Sequence, residues 1–150
     1  MPATLSFLHT SPIHIPTFDA LIKDQAPDIP VTHLVGEDFL SEARDKGISP
    51  ELTKRIHNKI IAAIDDGANV VLCTCSSIGS SAESANSLTP VPVIGVDRPM
   101  AEKAVSIGSK TIVLAQASMA GATALCTDLP IPALSSPSLG VAAVAAFRQQ

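Results

Sequence analysis

Asn69-Val70-Val71-Leu72-Cys73-Thr74-Cys75-Ser76-Ser77-Ile78-Gly79 decides how this chain folds. Val70 to Cys73 is a short apolar run of the kind that forms a buried strand, and the hydroxyl residues and glycine after it read as a tight turn into a helix. In open α/β sheets ligands sit beyond the carboxyl ends of the strands. There the next helix directs unpaired backbone N–H groups and the positive end of its dipole at whatever binds. Cys75 falls at that edge.

Position matters for a thiol because only the thiolate is a competent base or nucleophile. A free cysteine with a pKa near ~8.5 is mostly protonated at neutral pH unless a helix N-terminus or a cation lowers it. Each unit of lowering represents about 1.4 kcal/mol in favour of the anion. Cys73, further back in the strand, reads as a small core hydrophobe. Cys75, among hydroxyls and a glycine that do not suit a core, reads as a functional thiol.

The chain has 150 residues, which suit one domain able to bury roughly 70% of its extended surface. An aromatic fraction of 3%, without Trp or Tyr, leaves Ile, Val, Leu and Ala to build the core and argues against base-stacking platforms. A formal net charge of -4 with no dense run of Lys or Arg argues against nucleic-acid and anionic-membrane surfaces as partners. No apolar run is long enough to span a bilayer. Three cysteines, an odd count, and no signal-peptide pattern at the start predict reduced thiols in the cytoplasm.

Thr4 to Leu8 reads as a first strand, and His9-Thr10-Ser11-Pro12 as a polar loop able to hold an anion at the same edge as Cys75. His9 and His14 flank the loop, each either a general base or a polar loop residue. Phe18, Leu21 and Ile22 predict a helix over Pro16 to Ala26 with Thr17 as its cap. Val31 to Val35 predicts a second strand, and Glu37 to Lys46 a charged helix ended by Gly47.

The clearest helix runs from Pro50 to Asp66. Ser49 is its N-cap, Pro50 suits the first helical position, Gly67 terminates it, and Leu52, Ile56, Ile60, Ala63 and Ile64 form one apolar stripe. His57 falls on the solvent side. Ile78 to Asn86 predicts a small-residue helix and Pro92 to Val96 a fourth strand. Asp97 caps a helix from Arg98 through Ile107, and Arg98 either holds a substrate carboxylate or is solvated.

Thr111 to Ala115 predicts a fifth strand, followed by an Ala-rich helix to about Asp128. Ile131 to Ser135 predicts a short sixth strand near an edge, because Pro132 lacks a donor, and Leu139 to Phe147 a closing helix. Strands alternating with helices predict an α/β fold, a parallel sheet of about five or six strands with helices on both faces.

The His9-Thr10-Ser11-Pro12 loop, the Cys73-Thr74-Cys75-Ser76-Ser77-Ile78-Gly79 turn and the Val96-Asp97-Arg98-Pro99-Met100 segment, in that order, resemble the aspartate/glutamate/hydantoin racemase superfamily. Ile112 to Met119 and Leu134-Ser135-Ser136-Pro137 look like the end of the same kind of chain. The resemblance implies that residues 1–150 form a single Rossmann-like α/β domain corresponding to the family's first lobe plus its C-terminal segment. It also implies chemistry without cofactor or metal at the acidic carbon next to a carboxylate, with a cysteine from each of two lobes facing that carbon.

Cys75 matches the first-lobe cysteine as acid/base, and the same resemblance places Thr10, Ser11, Ser76, Ser77, Arg98 and Gln116 around a small carboxylate-bearing substrate. A thiolate can take the proton from one face, a thiol can return one to the other, and helix-end donors can stabilise the enediolate between. Two departures stand out. Gln116 occupies the place of the second cysteine and cannot act as acid or base at neutral pH, while Cys126 lies too late in its expected helix to replace it. Against the family pattern most of a second lobe is missing around Gly108 to Thr111, which reads either as a natural compact form or as an internal segment omitted from the sequence.

Three functions therefore compete: a cofactor-independent racemase or isomerase using Cys75, a carboxylate-binding relative without two-base chemistry, and a metal or redox role for Cys73 and Cys75. Two thiols without further ligands fall short of a structural zinc site, which places the third last. An open edge would leave an enediolate in high dielectric, so a homodimer in which a partner chain covers it is expected.

Overall fold

The structure is a computed structural model and describes residues 4–107, 112–114, 123, 127–128 and 130–147. Strands β1 (Leu5–His9), β2 (Val31–Val35), β3 (Val70–Cys73) and β4 (Val93–Gly95) form a parallel sheet in the order β2-β1-β3-β4. Two further strands, β5 (Ile112–Leu114) and β6 (Ala133–Ser135), pair in parallel with each other in a separate sheet, Ile112 opposite Ala133. The expected α/β fold of parallel strands with helices on both faces is present, its six strands divided four and two between two sheets. Strands of three residues offer few ladder bonds, and β6 runs straight into a helix that turns back onto the larger sheet.

That helix is α6 (Ser136–Ala146), the last after α1 (Ile15–Gln25), α2 (Glu37–Lys46), α3 (Pro50–Asp65), α4 (Ser76–Glu83) and α5 (Arg98–Ile107). Phe18 and Ile22 of α1 and Val141 and Val144 of α6 cover one sheet face with Leu5, Phe7, Val70 and Leu72. Phe39 of α2, Leu52, Ile56 and Ile60 of α3 and Ile78 of α4 cover the other with Leu8, Val71 and Cys73. Phe7 and Leu8 go to opposite faces because strand side chains alternate. Leu52, Ile56 and Ile60 are fully buried, each contributing about 1.5–3 kcal/mol.

Helix α3 forms as its sequence dictates. Ser49 Oγ accepts from the Leu52 amide at 3.0 Å, and the chain leaves the helix through Gly67 at φ 106°, a conformation that only glycine adopts freely. Helix α1 differs from expectation because Ser11-Pro12 is itself a cap followed by an N1 proline. A 3₁₀ turn spans Pro12–His14, the Ser11 hydroxyl accepts from the Ile13 amide at 3.4 Å, and Thr17 sits inside the first turn of α1 rather than capping it.

His57 is corrected too: it is half-buried, and its Nε2 lies 3.0 Å from the Ser81 carbonyl oxygen and 2.8 Å from the Ser84 hydroxyl, joining α3 to α4. On the other face α6 approaches closely at Gly140, where a Cβ would lie 3.2 Å from Val96 Cγ2 and 3.5 Å from Leu72 Cδ2. Among the described residues no helix is long and apolar enough to cross a membrane.

Candidate functional site

With strand order β2-β1-β3-β4, the chain leaves β1 toward one edge of the sheet and β3 toward the other. The connections after β1 and β3 therefore part company, and the crevice beyond those two carboxyl ends is the topological switch point where α/β sheets bind ligands. After β1 come Thr10, which is buried, and Ser11, which is half-buried. After β3 come Thr74, Cys75 and the first turn of α4, with Ser76 and Ser77 exposed. The two ends are tied together: the Thr74 amide donates to the Leu8 carbonyl at 2.9 Å. The topology thus places Thr10, Ser11, Cys75, Ser76 and Ser77 at the carboxyl edge of the adjacent strands β1 and β3.

Cys75 is the N-cap residue of α4, in extended conformation, and its side chain makes no capping hydrogen bond. The thiol is half-buried against the α3 and α4 core. Cys73 is different in kind. It is fully buried, its Sγ–H donates to the Cys75 carbonyl at 3.5 Å, and burial pushes its pKa up to about 12. One thiol of the pair is thereby inert, and the other is half-buried at the start of α4.

Beside the crevice, between α4 and α5, lies a cleft of about 300 Å³ lined by Ser76, Gly79, Ser80, Gly95, Asp97 and Arg98 among others. Cys75, Thr10 and Ser11 do not line it; Ser76 is the residue shared between the two. Arg98 is already engaged, its Nε donating to Glu83 Oε1 at 2.6 Å and its Nη2 to Glu83 Oε2 at 2.5 Å. The hydrogen bond from Arg98 holds the Glu83 carboxyl below its usual range, and Glu83 Oε1 also accepts from the Gly95 amide at 2.9 Å. The guanidinium fork that would clamp a substrate carboxylate is taken by Glu83.

Asp97 emerges as a site residue where the sequence suggested a cap. Its carbonyl accepts from the Ala101 amide at 2.9 Å, as an N-cap carbonyl does. Its side-chain Oδ1, however, is buried without a hydrogen-bond partner, as is the hydroxyl of Ser136 at the start of α6. Burial pushes the Asp97 carboxyl above its ordinary value, and the nearby Ser136 and Ser76 hydroxyls offset part of that rise. A half-buried acid at the mouth of a cleft, one residue from Arg98 and facing Ser76, is a candidate acid/base. Its sequence signal, Asp after a short apolar strand, is equally the signal of a cap.

His9 is likewise not a loop residue. It ends β1, fully buried, and burial lowers its pKa from 6.5 to about 4, with His33 and His14 adding to the effect. It therefore stays neutral and sealed beneath the crevice instead of reaching into it. Gln116, Cys126 and the junction at 108–111 lie outside the described residues. Among the described residues no cluster of three or more His, Cys, Asp or Glu side chains is placed to hold a metal ion.

No family model and no curated protein matches the chain. Solved structures do, among them the crystal structure of a "putative Asp/Glu Racemase" from Yersinia pestis, with 15% identity and a TM-score of 0.60. The match covers 88% of this chain and 64% of that one. Over that span the two chains share a fold, an α/β architecture with a parallel sheet flanked by helices.

Proposed function

We propose that this chain is a cofactor-independent isomerase of the racemase kind, acting at the carbon next to a carboxylate with Cys75 as its acid/base. The observation that carries the reading is the position of Cys75 as N-cap of α4 at the β1/β3 switch point, its thiol uncommitted to capping. The shared fold with a structure described as a "putative Asp/Glu Racemase" supports it. The Cys75 thiolate takes the α-proton and becomes a thiol, the electron pair moves into the carboxylate to give an enediolate, and the amides of the first turn of α4 stabilise that charge. Thr10, Ser11, Ser76 and Ser77 supply hydroxyls and amides to the substrate carboxylate, since Arg98 is engaged by Glu83. Asp97, which shares the cleft with Ser76, is the described group suited to exchange the second proton in place of Gln116.

Turnover by wild-type, Cys75→Ser and Cys75→Ala proteins on amino acids, hydantoins and 2-substituted malonates tests this. Loss of on the order of 10²-fold or more in both variants, with circular dichroism unchanged, is expected; full activity in both contradicts it. Gln116 at the second-cysteine position favours one alternative, a carboxylate-binding protein without two-base chemistry. That reading gives saturable binding of the same compounds with no turnover by any of the three proteins.

A further inference from the structure

Four side chains form a continuous hydrogen-bonded chain from the surface of α1 to the floor of the switch point. Asp19 Oδ1 lies 2.8 Å from His33 Nε2, His33 Nδ1 lies 2.9 Å from His9 Nε2, and His9 Nδ1 lies 2.8 Å from Thr74 Oγ1. The Thr74 hydroxyl is also 3.2 Å from the Leu8 carbonyl. Asp19 is exposed at one end, while His9 and Thr74 are buried at the other. The rings are held in place by packing, His33 stacked on Phe7 at 5.3 Å and His9 against Phe18 at 5.5 Å.

Donor counting leaves this chain two arrangements. A carboxylate and a carbonyl only accept, a neutral imidazole carries one N–H, and a hydroxyl has one proton to give. With His33 neutral, His33 Nε2–H donates to Asp19, His9 Nε2–H donates to His33 Nδ1, and the Thr74 hydroxyl donates to His9 Nδ1. With one more proton on His33, its Nδ1–H donates to His9 Nε2, His9 carries its proton on Nδ1 and donates to Thr74, and the Thr74 hydroxyl is released to donate to Leu8.

We infer that Asp19, His33, His9 and Thr74 form a two-state, proton-linked brace, in which uptake of one proton from solvent at His33 flips the His9 tautomer and turns the Thr74 hydroxyl onto the Leu8 carbonyl. His9 stays neutral in both states, as its burial requires. Facing His33 are Asp19 from α1 and His9 from β1, while His14, at the start of α1, adds charge that reaches His9. Thr74 precedes Cys75 and His9 precedes Thr10, so the brace sets the hydrogen bonding directly beneath the two ends of the crevice. These are positioning residues, and the inference stands apart from the isomerase reading.

Histidine side-chain ¹⁵N spectra of the full chain across about pH 5–8 test it, with the His9 ring recognised by its contacts to the Phe7 and Phe18 rings. The expected result is a neutral His9 whose protonated nitrogen moves from Nε2 to Nδ1 as pH falls, with the midpoint of the His33 titration. Asp19→Asn, a surface substitution that removes the carboxylate acceptor at the outer end of the chain, should change the His9 tautomer and the His33 signal together. A His9 ring that keeps one tautomer while His33 titrates, or a His9 midpoint that stays put when that of His33 moves, overturns the inference.

Discussion

Cys73 and Cys75 stand two residues apart on the same side of the chain, yet burial pushes the Cys73 thiol up to about 12 while Cys75 is half-buried at a helix start. In a Cys126→Ser background, iodoacetamide at pH 8 should therefore add one label to the folded protein, and Cys75→Ala should abolish it. Intact-mass spectrometry reads this directly, and two labels on the folded chain would speak against the burial of Cys73. His9 makes a prediction about stability. Its pKa is about 4 in the fold against 6.5 when exposed, so between those values the unfolded chain binds the extra proton and stability rises with pH. The contribution is complete above about pH 6.5 and lost by about pH 4, on the order of 3 kcal/mol in all. Urea unfolding of wild-type and His9→Phe proteins across that window should show the slope reduced in the variant. At Asp97, where burial raises the pKa, the sign is opposite: the carboxyl favours the fold most below the ordinary carboxylate range and disfavours it as pH rises. Asp97→Asn should thus be at least as stable as wild type at pH 7 while losing turnover. The placement of Cys75 at a helix start was legible at this scale because the strand and turn that set it adjoin it in sequence. Asp19 and His33 were not, since what makes them matter is the pairing of Phe7 with His33 and Leu8 with Cys73 across the sheet.

Among the elements, α2, β2 and α3 follow the sequence closely, because Ser49, Pro50, Gly47 and Gly67 carry local stop and start chemistry that needs no tertiary context. Ser49→Ala should cost about 1 kcal/mol through the lost bond to the Leu52 amide, seen as a lower urea midpoint at unchanged m-value. Helix α1 was harder to place: Pro12 and Pro16 both suit a first helical position, and only the structure shows winding begin at Pro12. Gly140 within α6 gave no sequence signal of its role, which is to let that helix lie close over Val96 and Leu72. Gly140→Val should destabilise by roughly 1–3 kcal/mol through overpacking, whereas a substitution at exposed Ala142 should change little.

For the whole molecule, alternation of strands and helices made the α/β class legible, but strand order and the splitting of the strands into two sheets were beyond reach. Which strands pair depends on long-range contacts that no local pattern encodes. The order β2-β1-β3-β4 is what converts a plausible cysteine into one at a switch point. The chain spans 64% of the "putative Asp/Glu Racemase" structure it matches, and we propose that a second copy covers the crevice; sedimentation at assay concentration should then give a dimer. The central proposal is that Cys75 is the group that moves the α-proton. Nuclear magnetic resonance of candidate amino acids, hydantoins and 2-substituted malonates in D₂O, with wild-type and Cys75→Ala proteins side by side, measures that step without requiring inversion. Deuterium is expected to enter the α-position of at least one compound with wild type and to stay at background with Cys75→Ala. Equal incorporation by both proteins, or none by the wild type with a compound it demonstrably binds, would contradict it.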